Sequence, residues 1–203
     1  MAALKLRIIG LGDSTTAGTP GFLSPLEAPP DGRGDPESQY EYWMMRLHPE
    51  WTVLNRGVNG ERSDEVLARF ERDVLSASPN YVVILVGVND IYQGASIEFV
   101  QEHLLAMYEK AKVANIRGVA ATVLPYNTAS VWESNAISDL NGWIADTADR
   151  LGVLFCDTNR VVRDRDNPNR LLSSPDGLHP DVSGYRRMGR ALAGTIDSDT
   201  RLI

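Results

Sequence analysis

The chain alternates between two hydrophobic periods, and that alternation restricts its fold more than any other feature. Five short runs are apolar almost without a break: "LKLRIIGL" at 4–11, "WTVLN" at 51–55, "YVVILVG" at 81–87, "RGVAATVLP" at 117–125 and "GVLFCD" at 152–157. Such runs suit strands covered on both faces, as in a parallel sheet. The stretches between them have helical spacing. Starting from Ser63 as an expected N-cap, Val66, Leu67, Phe70, Val74 and Leu75 share one stripe. From Ser96, Ile97, Val100, Leu104, Met107, Tyr108 and Ala111 share another. Ile137, Leu140, Ile144, Ala148 and Leu151 form a third that Gly152 can close in the left-handed conformation. Val182, Tyr185, Met188, Leu192 and Ile196 form the last. Strand and helix in turn imply right-handed crossovers and a three-layer α/β/α sandwich, with about five parallel strands and helices on both faces. With 203 residues, 43% hydrophobic and 23% charged, the chain reads as one globular domain spanning 1–203. "TPGFLSPLEAPPDGRGDPES" at 19–38 reads as a surface excursion, too short to join two domains.

Charge and cysteine content narrow the function classes. A formal net charge of −7 with no long Lys/Arg cluster disfavours nucleic acid and anionic membrane surfaces as partners. The start "MAALKLRIIG" has Lys5 and Arg7 inside its apolar stretch, unlike a secretory h-region, and no later run approaches a membrane span. Cys156 is the only cysteine, so no intrachain disulfide forms. The expected location is the cytoplasm. With three histidines and one cysteine, a Cys/His zinc site is hard to assemble, and neither metal nor cofactor is expected. A homo-oligomer is compatible with the chain, but no feature of the sequence specifies one.

Ligands of open α/β sheets bind outside the carboxyl ends of the strands. "GLGDSTTAG" places Ser14 just after the first strand, Gly57 to Gly60 follow the second, and Asn89 and Asp90 follow the third. A serine on this rim becomes a nucleophile only beside a base. His48, in "RLHPEW", and His103, between Val100 and Leu104, suit structural roles. His179 lies in "SSPDGLHPDVSGY" at 173–185, a loop just before the last helix. Asp176 is three residues earlier, close enough in sequence to reach Nδ1 and fix the ring's tautomer. Turn and cap chemistry also explains Asp176 and Asp181 in "PDG" and "HPD", and on this loop alone both explanations stand.

Taken together, "GDS" at 12–14, "NRGVNGERS" at 55–63, "GVND" at 87–90 and "DGLHP" at 176–180 resemble, in that order, the blocks of the SGNH or GDSL hydrolases. The resemblance runs from the first strand to the last helix. It implies a flavodoxin-like sandwich and a serine esterase of carboxylic or thio-esters. Carried over, it makes Ser14 the nucleophile, His179 the base and Asp176 the triad acid, with Ser14, Gly60 and Asn89 forming the oxyanion hole. Glycine at 60 would let the backbone approach a substrate closely. Thr15 departs from the family's usual leucine after the serine. Family members also deacetylate sugars and cleave lysophospholipids, so the small-molecule ester remains open.

The excursion at 19–38 leaves the chain close to Ser14, and Phe22 and Leu23 are expected to line an acyl pocket with Tyr126 and Trp132. A stiff, proline-rich wall there implies short acyl groups, acetyl to about hexanoyl. Two rival classes remain. "GD", "ND" and "DGLH" also resemble ligands of a metal-dependent phosphoesterase, although such centres usually draw on several histidines. The other rival is a catalytically silent binding module.

Overall fold

The structure, a computed structural model, describes residues 4–200, so residues 1–3 of the amino-terminal stretch lie outside the described residues. Five strands form one parallel sheet: β1 (Arg7–Gly12), β4 (Thr52–Gly57), β5 (Tyr81–Leu85), β6 (Arg117–Ala121) and β7 (Leu154–Cys156), in spatial order β4-β1-β5-β6-β7. Counting only these five in chain order gives 2-1-3-4-5, the flavodoxin-like doubly wound arrangement, whose switch point lies between β1 and β5. The register puts Gly12 opposite both Gly57 and Leu85, so three strands end level at that point.

Burial on both faces explains why the strands read as unbroken apolar runs. Ile9, Leu11, Val82, Ile84 and Ala120 point to one core, covered by α3 (Ser63–Ala68), α4 (Phe70–Asp73), α6 (Ile97–Val113) and α7 (Val131–Leu151). Ile8, Val83, Leu85 and Val119 point to the other, covered by α2 (Tyr40–Leu47), α8 (Thr158–Val162) and α9 (Val182–Asp197). Gly152 does end α7 in the left-handed region, at φ 66°.

Three expectations change. The stripe from Ser63 is two short helices interrupted at Arg69, whose side chain turns inward. Ser63 begins α3 without capping it, because its hydroxyl donates to the buried Asp90 carboxylate at 2.7 Å. That carboxylate lacks water and takes the nearest donors, including the Ser63 backbone N–H at 2.9 Å. The excursion at 19–38 is also more than surface. It holds an antiparallel pair, β2 (Phe22–Leu23) with β3 (Arg33–Gly34). Ser24 within it is fully buried and donates from Oγ to the carbonyl of Gly57 at 2.6 Å.

Candidate active site

The first loop of the site is set by Asp13. Its carboxylate caps α1 (Ser14–Ala17) by accepting the Thr15 N–H at 2.9 Å, which starts the helix at Ser14. Burial pushes the Asp13 carboxyl up to about 7, against the lowering effect of that N–H. Ser14 itself is nearly buried, and its Oγ lies 2.9 Å from Nε2 of His179. The other ring nitrogen, Nδ1, lies 2.7 Å from Oδ2 of Asp176.

The turn bonds and the contact with the imidazole use the two oxygens of one carboxylate. Oδ1 of Asp176 accepts the backbone N–H groups of Leu178 and His179, each at 2.9 Å, forming the turn that leaves Oδ2 for the ring. Partial burial raises the Asp176 carboxyl, but the His179 ring and those two N–H groups outweigh it and hold the carboxyl below its usual range. Asp181 caps α9, accepting the Gly184 N–H at 2.7 Å. The loop is tied to the segment that follows β6 by the Asn127 N–H, which donates to the Gly177 carbonyl at 2.7 Å.

Asn89 stands in the first turn of α5 (Val88–Tyr92), and its Nδ2 donates to the Glu61 carbonyl at 2.9 Å. Gly60 follows Asn59 in the left-handed region at φ 80°. A Cβ there would meet no protein atom within 4 Å, so glycine is required by conformation rather than by packing.

A cavity of about 170 Å³ is lined by Ser14, His179, Asn89 and Asn59, whereas Gly60 and Asp176 lie outside its lining. Thr15, Val88, Tyr92, Leu124, Tyr126 and Leu178 complete its lining. A larger hollow of about 770 Å³ opens at the opposite, amino-terminal edge of the sheet, among residues such as Lys5, Asn80 and Arg117. Its lining holds neither serine nor histidine, so chemistry and not volume selects the smaller cavity.

Of the expected acyl-site residues, only Tyr126 lines this cavity. Phe22 is instead buried inside the excursion, where its ring packs so closely that a Cβ on Gly32 would meet it at 2.5 Å. Leu23 is partly buried in the same pair of strands, and neither borders the cavity. Trp132 is 55% exposed in the first turn of α7 and also lies outside the lining. The excursion reaches the site through polar groups: Oε1 of Glu27 accepts the Asn59 N–H at 3.1 Å.

Asn59 lies in the 57–60 loop that the sequence placed on the rim, whereas Val88, Tyr92, Leu124 and Leu178 escaped sequence reasoning, although three of these four sit beside or one turn from a residue it selected. His48 stacks on Trp51 with ring centroids 3.9 Å apart. Nδ1 of His103 contacts the Ser63 hydroxyl at 3.2 Å, leaving both histidines outside the cavity. Among the described residues, no three His, Cys, Asp or Glu side chains converge to hold a metal ion. No helix among them is long and apolar enough to cross a membrane.

Comparison with known proteins fits this geometry. The model of the GDSL-like lipase/acylhydrolase family matches residues 11–187. The chain belongs to that family. It is therefore an ester-hydrolysing enzyme. An acetylxylan esterase from Geobacillus stearothermophilus is 26% identical over 175 residues, covering 75% of this chain and 76% of its own. A solved putative lipolytic protein of the G-D-S-L family from Desulfitobacterium hafniense superposes with a TM-score of 0.78 at 27% identity, over 94% of this chain and 99% of its own. The solved Geobacillus acetylxylan esterase superposes with a TM-score of 0.73 at 21% identity, over 94% of each chain, which shows the shared fold.

Proposed function

We propose that this GDSL acylhydrolase cleaves short-chain carboxylic esters, with Ser14 as nucleophile, His179 as general base and Asp176 as the carboxylate that orients the ring. The observation that carries the reading is the continuous relay from Ser14 Oγ to His179 Nε2 (2.9 Å) and from Nδ1 to Asp176 (2.7 Å). Asp176 holds the proton on Nδ1 and so leaves the Nε2 lone pair facing the hydroxyl.

In the first half-reaction the Ser14 oxygen bonds the ester carbonyl carbon while its proton passes to Nε2. The carbonyl oxygen takes up the negative charge, and backbone N–H groups of Ser14 and Gly60 with the Asn89 amide stabilise it. Collapse breaks the bond to the alcohol oxygen, which leaves with the proton from Nε2. Water then repeats the sequence on the acyl-serine, releasing the carboxylic acid and restoring Ser14.

Size supports a small acyl group. The cavity beside Ser14 is small, about 170 Å³ against about 770 Å³ for the hollow at the amino-terminal edge, and Leu124 and Tyr126 are among its lining. Acetate carried on a sugar is a substrate class favoured by the acetylxylan esterase from Geobacillus stearothermophilus. Catalytic mutants of that enzyme carry alanine in place of a serine and of an aspartate, the residue types assigned here to Ser14 and Asp176.

The test combines a fluorophosphonate probe with a panel of p-nitrophenyl esters of graded length and an acetylated xylo-oligosaccharide. Labelling confined to Ser14, with rates highest for acetyl and butyryl, is expected. Labelling of Ser63 or Ser183 instead, or activity retained by Ser14→Ala, overturns the assignment.

A further inference from the structure

We propose that Arg69 is the positioning residue of the oxyanion hole, fixing through one buried guanidinium the three segments that carry Ser14, Gly60 and Asn89. The proposal rests on the oxyanion assignment above. Arg69 touches none of the reacting atoms and acts through the chain segments it holds.

The geometry is specific. Nη2 donates to the carbonyl of Gly12, the last residue of β1 before the Asp13–Ser14 turn, at 2.8 Å. Nη1 donates to the carbonyl of Arg56, at the end of β4 where the Gly60 loop departs, at 2.8 Å. Nε donates to Oε2 of Glu61, the residue after Gly60, at 2.6 Å. The carbonyl of that same Glu61 accepts Nδ2 of Asn89 at 2.9 Å. The first two segments are thus held directly, and the third is reached through a single intervening residue. Asp73, beneath the guanidinium, accepts from Nη1 at 2.7 Å and supplies a second negative charge.

Stability alone is a poor account of this arrangement. A buried ion pair contributes little net stability compared with apolar residues of the same shape, because desolvation offsets the attraction. The ends of β1 and β4 are also already joined without Arg69, by ladder pairing of Gly12 with Gly57 and by the Val58 N–H donating to the Gly12 carbonyl at 3.1 Å. What the guanidinium adds is angular registry between loops, since its donors diverge from a rigid plane. The interruption of the helix between Ala68 and Phe70 coincides with this inward turn of Arg69. A lysine retains the charge but places its three donors on one flexible nitrogen, so it cannot reproduce the fork.

The experiment measures kcat and KM on p-nitrophenyl acetate for the wild-type chain, Arg69→Lys, Asn89→Ala and the double variant, with the folded fraction taken from circular dichroism. Arg69→Lys is expected to lower kcat of the folded protein at least ten-fold with KM within two-fold. Added to Asn89→Ala, it is expected to cost much less than ten-fold, because part of the hole it aligns is already missing. Arg117→Lys, in the ion pair with Asp199 at the amino-terminal edge of the sheet, is expected to lower the melting temperature and leave kcat of the folded fraction within two-fold. A wild-type kcat for folded Arg69→Lys, fully multiplicative losses in the double variant, or an equal kcat loss in Arg117→Lys overturns the proposal. Should Arg69→Lys fail to fold, Glu61→Gln carries the test, with at least a three-fold fall in kcat expected and an unchanged kcat overturning it. Wild-type kcat in Asn89→Ala would instead defeat the oxyanion assignment itself, an outcome distinct from any result at Arg69.

Discussion

The two halves of the rim are built in opposite ways. On the side of Ser14, Gly60 and Asn89, the strand ends stand over buried charge: Asp13, Arg69, Asp73 and Asp90 are all nearly or fully excluded from solvent. On the side of His179, the loop stands at the surface, with Leu178 44% exposed and the Asp176 side chain 31% exposed. That loop is held by a local turn and a few backbone bonds. The contrast matches the demands of the proposed chemistry. Donors that meet a developing oxyanion gain most from being fixed beforehand, since reorganisation would cancel their benefit. A ring that receives a proton and returns it needs its tautomer and reach set, and one carboxylate on a tight turn suffices for both.

The most severe way to break the comparison removes what both halves act on. Ser14→Ala is expected to lower kcat/KM by roughly 10⁴-fold or more, as loss of the nucleophile does in other triads. Its melting temperature should stay within a few degrees of wild type, because a single hydroxyl on the cavity wall contributes little packing. Stopped-flow assays with an activated ester and a thermal melt check the two halves of this expectation.

Next come one residue from each side. Asn89→Ala is expected to lower kcat by about 10² to 10³ with KM nearly unchanged, the pattern of an interaction made mainly in the transition state. His179→Ala should cost more than Asp176→Asn, because in the proposed mechanism the base takes part in every proton transfer whereas the carboxylate only orients it. Steady-state kinetics on p-nitrophenyl acetate would show an inverted order if Asp176 did more than orient the ring.

Much of this was legible in the sequence because burial on both faces leaves unbroken apolar runs, and because Ser14, Asn89 and His179 sit in short motifs at strand and helix ends. The unread parts share a cause: polar groups doing the work of apolar ones. The helix Tyr40–Leu47 buries Glu41 completely, and that carboxylate breaks the apolar stripe by which a helix is recognised. The excursion at 19–38 is held by Ser24 and Glu27 on the Gly57–Asn59 loop, hydrogen bonds that leave no periodic trace. Arg69 interrupts the apolar stripe between Ala68 and Phe70, yet it is nearly buried and bonded to the carbonyls of Gly12 and Arg56. Trp132 failed for the converse reason, as an aromatic whose sequence neighbourhood says nothing about its exposure.

Buried charge on the Ser14 side also has a signature in stability against pH. The Asp13 carboxyl, raised from 3.8 to about 7, stabilises the fold fully only below 3.8. That contribution is lost as the pH rises toward 7, because the unfolded chain ionises the group first. Asp13→Asn retains an N-cap side chain without the charge. Its stability relative to wild type should therefore rise between pH 5 and pH 8, by on the order of 2–4 kcal/mol. Urea titrations of both proteins at the two pH values measure the difference, and parallel curves would mean that Asp13 ionises freely in the fold.

The smallest expected effect concerns the apolar wall on the His179 side. Tyr126 is 2% exposed and lines the cavity with Leu124, while its ring and that of Tyr92 make a T-shaped contact with centroids 6.2 Å apart. The segment Thr122–Asn127 that carries it is pinned at both ends. The Thr122 N–H donates to the Cys156 carbonyl at 3.2 Å, and the Asn127 N–H donates to the Gly177 carbonyl at 2.7 Å. A ring on so constrained a segment cannot swing aside for a longer acyl chain, so it should act as a stop. Tyr126→Ala removes that stop and enlarges the cavity, at a cost of about 2–4 kcal/mol in stability for a buried aromatic. The acyl-length optimum is expected to move up by two to four carbons, with the rate on the acetyl ester falling only a few-fold. Tyr126→Phe retains the ring and should keep the wild-type profile. If the optimum stays at acetyl in Tyr126→Ala while the protein remains folded, the stop lies with Leu124 or Val88, and the same ester panel on alanine variants at those positions would identify it.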